Sequence, residues 1–296
     1  MTDKNTLAIM KKDVVDVVER RIQDLIQKGE LHLPEGYSAA NAMKSAWLAL
    51  QSTVDRDRKP ALQACTRDSI ANALLDMVVQ GLNPAKNQCY FIVYGNQLVC
   101  MRSYFGAMHV AKMVDPTIGD IIAQVVYEGD EFRYSIERGK KVVTKHEQSL
   151  GNVKRDKIIG AYCMVLEKDG TIRNTEIMTW DEILQSWKQS QVKPVLEDGS
   201  LKAGTTHEKY PAQMAIRTVV NRACKPIINS SNDNTLIAAF NRASDIQADQ
   251  EVAEEIAENA NSEVIDIDDI PAENAEKVAE NEQKEPEQQT LEGPGF

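Results

Sequence analysis

Residues 245–296 carry 17 acidic and 2 basic side chains and no aromatic before Phe296. Such a segment cannot bury a core, so it is expected to be disordered and any fold must be built from residues 1–244. The net charge of −11 for all 296 residues averages two unlike regions. Taking the tail from the totals leaves 32 basic and 28 acidic residues for 1–244, a charge of +4. A mildly basic body beside an acidic appendage points to a polyanionic partner.

The five cysteines (Cys65, Cys89, Cys100, Cys163, Cys224) are scattered, with no Cys-x-x-Cys pair. Neither a zinc site nor a disulfide framework is supported, and buried free thiols in a reducing cytoplasm are the expected reading. No stretch approaches the roughly 18 apolar residues that would span a membrane. A soluble, cytoplasmic protein is expected.

Apolar residues recur at helical spacing over 12–28, 38–54 and 67–80, the first ended by Gly29 and the last by Gly81 and Pro84. Strand-like runs over 89–94 and 97–102 flank Gly95-Asn96, a two-residue hairpin signal. A helix over 103–113 ends at Asp115-Pro116. A meander follows, with strands over 118–128, 131–136, 141–145, 157–166 and 171–178. Thr179 with Glu182 and Thr205 with Glu208 match the capping-box pattern and open two more helices. The second is expected to run to Lys225 and stop before Pro226, and a short helix over 234–247 leads into the tail. This order predicts an α+β fold, a small antiparallel sheet with a hairpin packed against helices.

Phosphate-binding P-loops, dinucleotide fingerprints, zinc-protease and serine-hydrolase motifs are absent from the sequence. The histidines (His32, His109, His146, His207) never fall at ligand spacing and read as surface or half-buried imidazoles. Asp266, Asp268 and Asp269 lie in the tail and read as a solvated charge run. A nuclease would need carboxylates and a lysine around a cation. Glu128, Asp130 and Lys140 offer such a set, although Glu128-Gly129-Asp130-Glu131 reads first as a turn between strands. No catalytic residue, metal or cofactor is expected.

The densest basic stretch is 138–157, with Arg138, Lys140, Lys141, Lys145, Lys154, Arg155 and Lys157 against Glu147 and Asp156. It reads either as a solvated loop or as a wall that follows phosphates, each contact releasing a counterion. After Thr206, Lys209, Gln213, Arg217, Asn221 and Lys225 recur every four residues, flanked by Arg222. Ala212, Ala215, Ile216, Val219 and Ala223 lie on another face and can pack on a sheet. An outer face of donors and amides suits backbone contact with DNA. Tyr104, Phe105 and Tyr210 sit near basic residues and could stack on bases. Trp180 and Trp187 could too, but core packing is the better reading for that pair.

Several segments together resemble the RecT family of phage and prophage recombinases. They are Gly81-Leu82-Asn83-Pro84 followed by Tyr90; Tyr104-Phe105-Gly106; the run 125–134 from Val125 to Tyr134; Ile159-Gly160-Ala161-Tyr162; and Met178-Thr179 leading to Glu182. The most specific is Lys209-Tyr210-Pro211 with Met214, Arg217-Thr218-Val219, Arg222 and Lys225. The resemblance covers roughly residues 35–240. It departs from the family at Tyr210, where Trp is common, and at Arg217, where Lys is common.

The resemblance implies ATP-independent binding of single-stranded DNA and annealing of complementary strands, in rings or helical filaments. It implies a core like that of the eukaryotic annealing protein Rad52, and partners such as a phage exonuclease and the host single-strand binding protein. Residues 1–34 would then be a helical segment making contacts between copies, 35–244 the annealing domain and 245–296 the tail. The residues expected to contact the DNA backbone are Arg102, Lys112, Lys140, Lys141, Lys145, Lys154, Arg217, Arg222 and Lys225. A metal-dependent nuclease and a passive strand-coating protein are the alternatives. The acidic tail would compete with DNA for the basic surface, dock partners through residues 264–267, or merely solubilise the chain.

Overall fold

The computed structural model describes residues 2–189 and 193–249. The acidic segment beyond residue 249, with residues 264–267 and the Asp266 run, lies outside them. Helix α1 (Thr2–Gln27) buries Val14, Val18 and Ile22 and packs on α4 (Arg67–Val79). Residues spaced four apart share a helix face, so this burial follows from the apolar period. Helix α2 (Ala39–Ser52) is capped by Ser38, whose hydroxyl accepts from the Asn41 N–H, and buries Ala42, Met43, Ala46, Trp47 and Leu50. The short α3 (Ala61–Ala64) leads to α4, capped in the same way by Thr66.

Strands β1 (Cys89–Tyr94) and β2 (Gln97–Arg102) pair antiparallel, with Tyr94 opposite Gln97 across the expected turn. Helix α5 (Tyr104–Val114) starts directly after them, capped by the Ser103 hydroxyl. All five cysteines are buried free thiols.

The strands are β3 (Ile118–Tyr127), β4 (Glu131–Glu137), β5 (Lys140–Glu147), β6 (Ile158–Glu167) and β7 (Ile172–Thr179). Each was legible in the sequence, but the meander was not the topology. The sheet order is β3-β6-β7, and β4-β5 form a separate hairpin inserted between β3 and β6. Length explains the partner choice, since β3 and β6 are both ten residues long and pair along nearly their whole extent. The shorter hairpin turns through Arg138 and Gly139, both at positive φ (51° and 81°). That conformation fits the two-residue turns that match strand twist.

Beyond β7 come α6 (Trp180–Lys188), α7 (Thr206–Lys209), α8 (Pro211–Asn229) and α9 (Asn234–Asp249). The helix expected from Thr205 to Lys225 is two helices, broken at Tyr210, with Pro211 opening the second. Proline suits a first helical position because it lacks the N–H that would be unpaired there. Pro226 does not stop α8 but lies inside it. It forfeits one hydrogen bond, and continuing the helix fully buries Ile228, which offsets part of that cost. The expected boundary at residue 245 falls inside α9. The chain is thus mixed helix and strand, with small antiparallel sheets packed against helices. No helix among the described residues is long and apolar enough to cross a membrane.

Candidate nucleic-acid interface

Helix α8 packs on α5 and on the β3-β6-β7 sheet. Ala215, Val219 and Ala223 are buried in the main core with Ala161, Cys163 and Val165 of β6. Alternation along β6 therefore assigns these three residues to the face under α8 and Tyr162, Met164 and Leu166 to the other. Arg222, on the wet side of α8, pairs with Glu176 of β7 at 3.0 Å. From the hairpin, Lys140 Nζ donates to the Arg173 carbonyl at 3.3 Å and Lys141 Nζ to the Ile177 carbonyl at 2.9 Å. Among the described residues β7 pairs with no strand other than β6, so its outer edge leaves those carbonyls to the lysines. Two adjacent lysines of the hairpin and one arginine from α8, far from them in sequence, thus converge along one edge strand. Close by, Glu182 has its carboxyl held below the usual range, first by the Thr179 N–H and then with help from Lys141 and Arg222.

The other expected contacts divide. Lys154 and Lys225 are exposed, and Arg217 is half-buried. Lys145 lies between Glu131 (2.7 Å) and Glu147 (3.1 Å), which raise its pKa, so a phosphate would have to displace two carboxylates. Lys112 pairs with Asp120 at 3.1 Å on β3, the opposite edge of the sheet. Arg102 points inward. It is 8 % exposed, its Nη1 donates to Gln80 Oε1 at 2.6 Å, and its guanidinium lies 3.8 Å from the centre of the Phe240 ring. Burial lowers its pKa to about 10. Its place is in the core.

Of the aromatics, Phe105 and Tyr210 are exposed, while Tyr104 is half-buried with its ring 4.0 Å from that of Phe105. Trp180 and Trp187 meet edge to face at 5.4 Å, and Trp187 Nε1 donates to Thr218 Oγ1 at 2.8 Å, so this pair is core. Thr179 and Glu182 form the full capping box. Thr205 caps α7, but the Glu208 carboxylate pairs with Arg155 instead.

The nuclease set does not assemble around one point. Glu128 pairs with Lys157 at 2.9 Å, and Lys140 is held at β7. The Asp130 side chain is fully buried and accepts from the Tyr127 N–H (2.8 Å), Gln148 (2.8 Å) and Asn152 (3.1 Å), with His146 Nε2 at 3.3 Å. Burial would raise its pKa, but these partners outweigh burial and keep it below the usual range. His146 Nδ1 lies 3.0 Å from the Tyr162 hydroxyl. This cluster pins the hairpin base to the sheet. Sequence reasoning missed it, although Phe132, Tyr134 and Ile136 alternate along β4.

His207 was expected at the surface or half-buried but is 5 % exposed, its ring 4.6 Å from Trp187. Burial first, and Arg217 second, push its pKa down to about 4. The folded imidazole stays neutral while an unfolded one protonates below about pH 6.5. Stability is therefore expected to fall as the pH drops from about 6.5 to 4, by up to ~3 kcal/mol, with half-buried His109 adding in the same sense. Urea midpoints measured across that range should show the loss, and His207→Gln should remove most of it. A variant with the wild-type slope would place the effect elsewhere.

No curated protein matches the chain. The sequence model of the RecT family, single-strand annealing proteins of DNA recombination, matches residues 40–264. That span is more than half of the sequence and covers every strand and α8, and the chain belongs to the RecT family.

Proposed function

We propose that this protein binds single-stranded DNA and anneals complementary strands without ATP, assembled as a ring or filament of copies. Family membership carries the reading, and the cations along β7 supply a surface for it. Lys140, Lys141 and Arg222, with exposed Lys154 and Lys225 and half-buried Arg217, are the backbone contacts. Each would exchange a protein acceptor or water for a phosphate oxygen and release a counterion. Lys112 and Lys145 would first have to leave their carboxylates, and Arg102 serves the fold. Exposed Phe105 and Tyr210, with Tyr104 beside Phe105, are candidates for stacking on bases. No bond is made or broken in this reading, because Watson–Crick pairing tests the match. A phage exonuclease to generate the strand and a host single-strand binding protein that coats it are the partners that fit.

The test is pairing of complementary oligonucleotides in EDTA without nucleotide. Acceleration is expected. Shortening of labelled DNA only with a divalent metal would indicate a nuclease, and tight binding with slowed pairing would indicate a passive coat. Replacing Lys140 and Lys225 by Gln should reduce the salt dependence of binding by roughly 0.7 in log–log slope per lost contact. An unchanged slope would remove these two residues from the interface.

A further inference from the structure

The face of the β3-β6-β7 sheet away from α8 carries Ile122, Met164 and Ile177, each half-buried and apart from the main core. The β4-β5 hairpin lies over part of it. From there an aromatic row runs outward. Tyr162, 5 % exposed, stacks on Phe132 with ring centres 5.4 Å apart, and Phe132 lies 6.1 Å from Tyr134. Exposure rises along the row, to 49 % at Tyr134 and 69 % at Ile136 beyond it. The inner end is fixed by His146, edge-on to both Phe132 and Tyr162, and by the Asp130 hydrogen bonds. Cross-strand register sets Val143 opposite Tyr134 and Lys141 opposite Ile136, on the same side of the hairpin. Arg138 and Lys140 complete a cationic tip.

We propose that the outer end of this side of the hairpin, beyond its contact with the sheet, is a stacking platform for the bases of single-stranded DNA, with Tyr134 as the ring that meets a base. The inference rests on the annealing reading above and adds a site to it. A flat ring fixed at one end and open at the other offers a base a π-face without a large ordering cost. Lys141 and the tip cations lie where the phosphates of a stacked nucleotide would pass. A second copy of the chain fits less well. Tyr134 and Ile136 offer little of the roughly 800 Å² per partner that a stable interface buries, and identical cationic tips repel.

The experiment compares two oligonucleotides of equal length and charge, a thymidine oligomer and an abasic one, binding to the full chain. Tyr134→Ala should weaken binding of the thymidine oligomer about tenfold, the loss of one stack, and leave abasic binding unchanged. Tyr134→Phe should bind like the wild type. Tyr134→Trp should gain emission that the thymidine oligomer quenches and the abasic one does not, which tests the platform even if the alanine variant folds poorly. Equal loss on both oligomers, no loss, or a change in oligomer size with the affinity ratio intact would overturn the platform. A wild type that binds neither oligomer would overturn the annealing reading instead.

Discussion

Arg102→Ala is expected to lower stability by about 3 kcal/mol, seen as a drop in the urea midpoint, and to leave the salt dependence of DNA binding as it was. The side chain is buried, so truncation leaves a cavity beside Phe240 and takes from Gln80 Oε1 its 2.6 Å donor. An unpaired buried acceptor bears the full cost of desolvation, whereas removing both polar partners can be nearly neutral. Arg102→Met combined with Gln80→Leu should therefore recover much of the loss, and the coupling between the two changes would measure the pair. A wild-type midpoint in Arg102→Ala, with a weakened salt slope, would mean that the guanidinium faces DNA rather than the core.

A second large effect is expected at Gly106, in the first turn of α5. A Cβ there would overlap the backbone carbonyl of Gln88 and come within 2.6 Å of Arg102 Cγ. The Gln88 carbonyl already accepts from the Ser103 N–H at 3.0 Å and cannot withdraw without disturbing the cap of α5. Gly106→Ala should thus cost about 3 kcal/mol despite alanine's better helix propensity, which favours the change by only about 1 kcal/mol. Gly151→Ala is the control. Its Cβ would meet only Ser149 Oγ, at 3.7 Å, and its midpoint should stay within about 0.5 kcal/mol of wild type. Equal midpoints for the two variants would show that α5 can move away from Gln88.

Because Gly106 and Arg102 share this contact, their effects should not add. Both substitutions loosen the junction of β2, α5 and α9. The sequence marked both residues, one in the Tyr104-Phe105-Gly106 segment and one as an expected DNA contact at the end of a strand. It did not show that they press on each other.

Local order was largely determined by the sequence. Apolar period, capping residues and turn dipeptides depend on neighbours a few positions away, so they placed every strand and most helices within a few residues. Charge counting drew a division between basic body and acidic segment at residue 245, but α9 runs across it. Where the reading failed, a distant partner decided. Pro226 stays helical because Ile228 is buried by other elements, and β3 passes over adjacent β4 to pair with β6. A cation's role was equally a tertiary matter. Arg102 and Lys141 look alike as charges in the chain, yet one lies under Phe240 and the other reaches the open edge of β7. A charge can be counted in the sequence, but its desolvation and its partners are set by what the fold packs around it, and that decides whether it holds the core or stays at the surface.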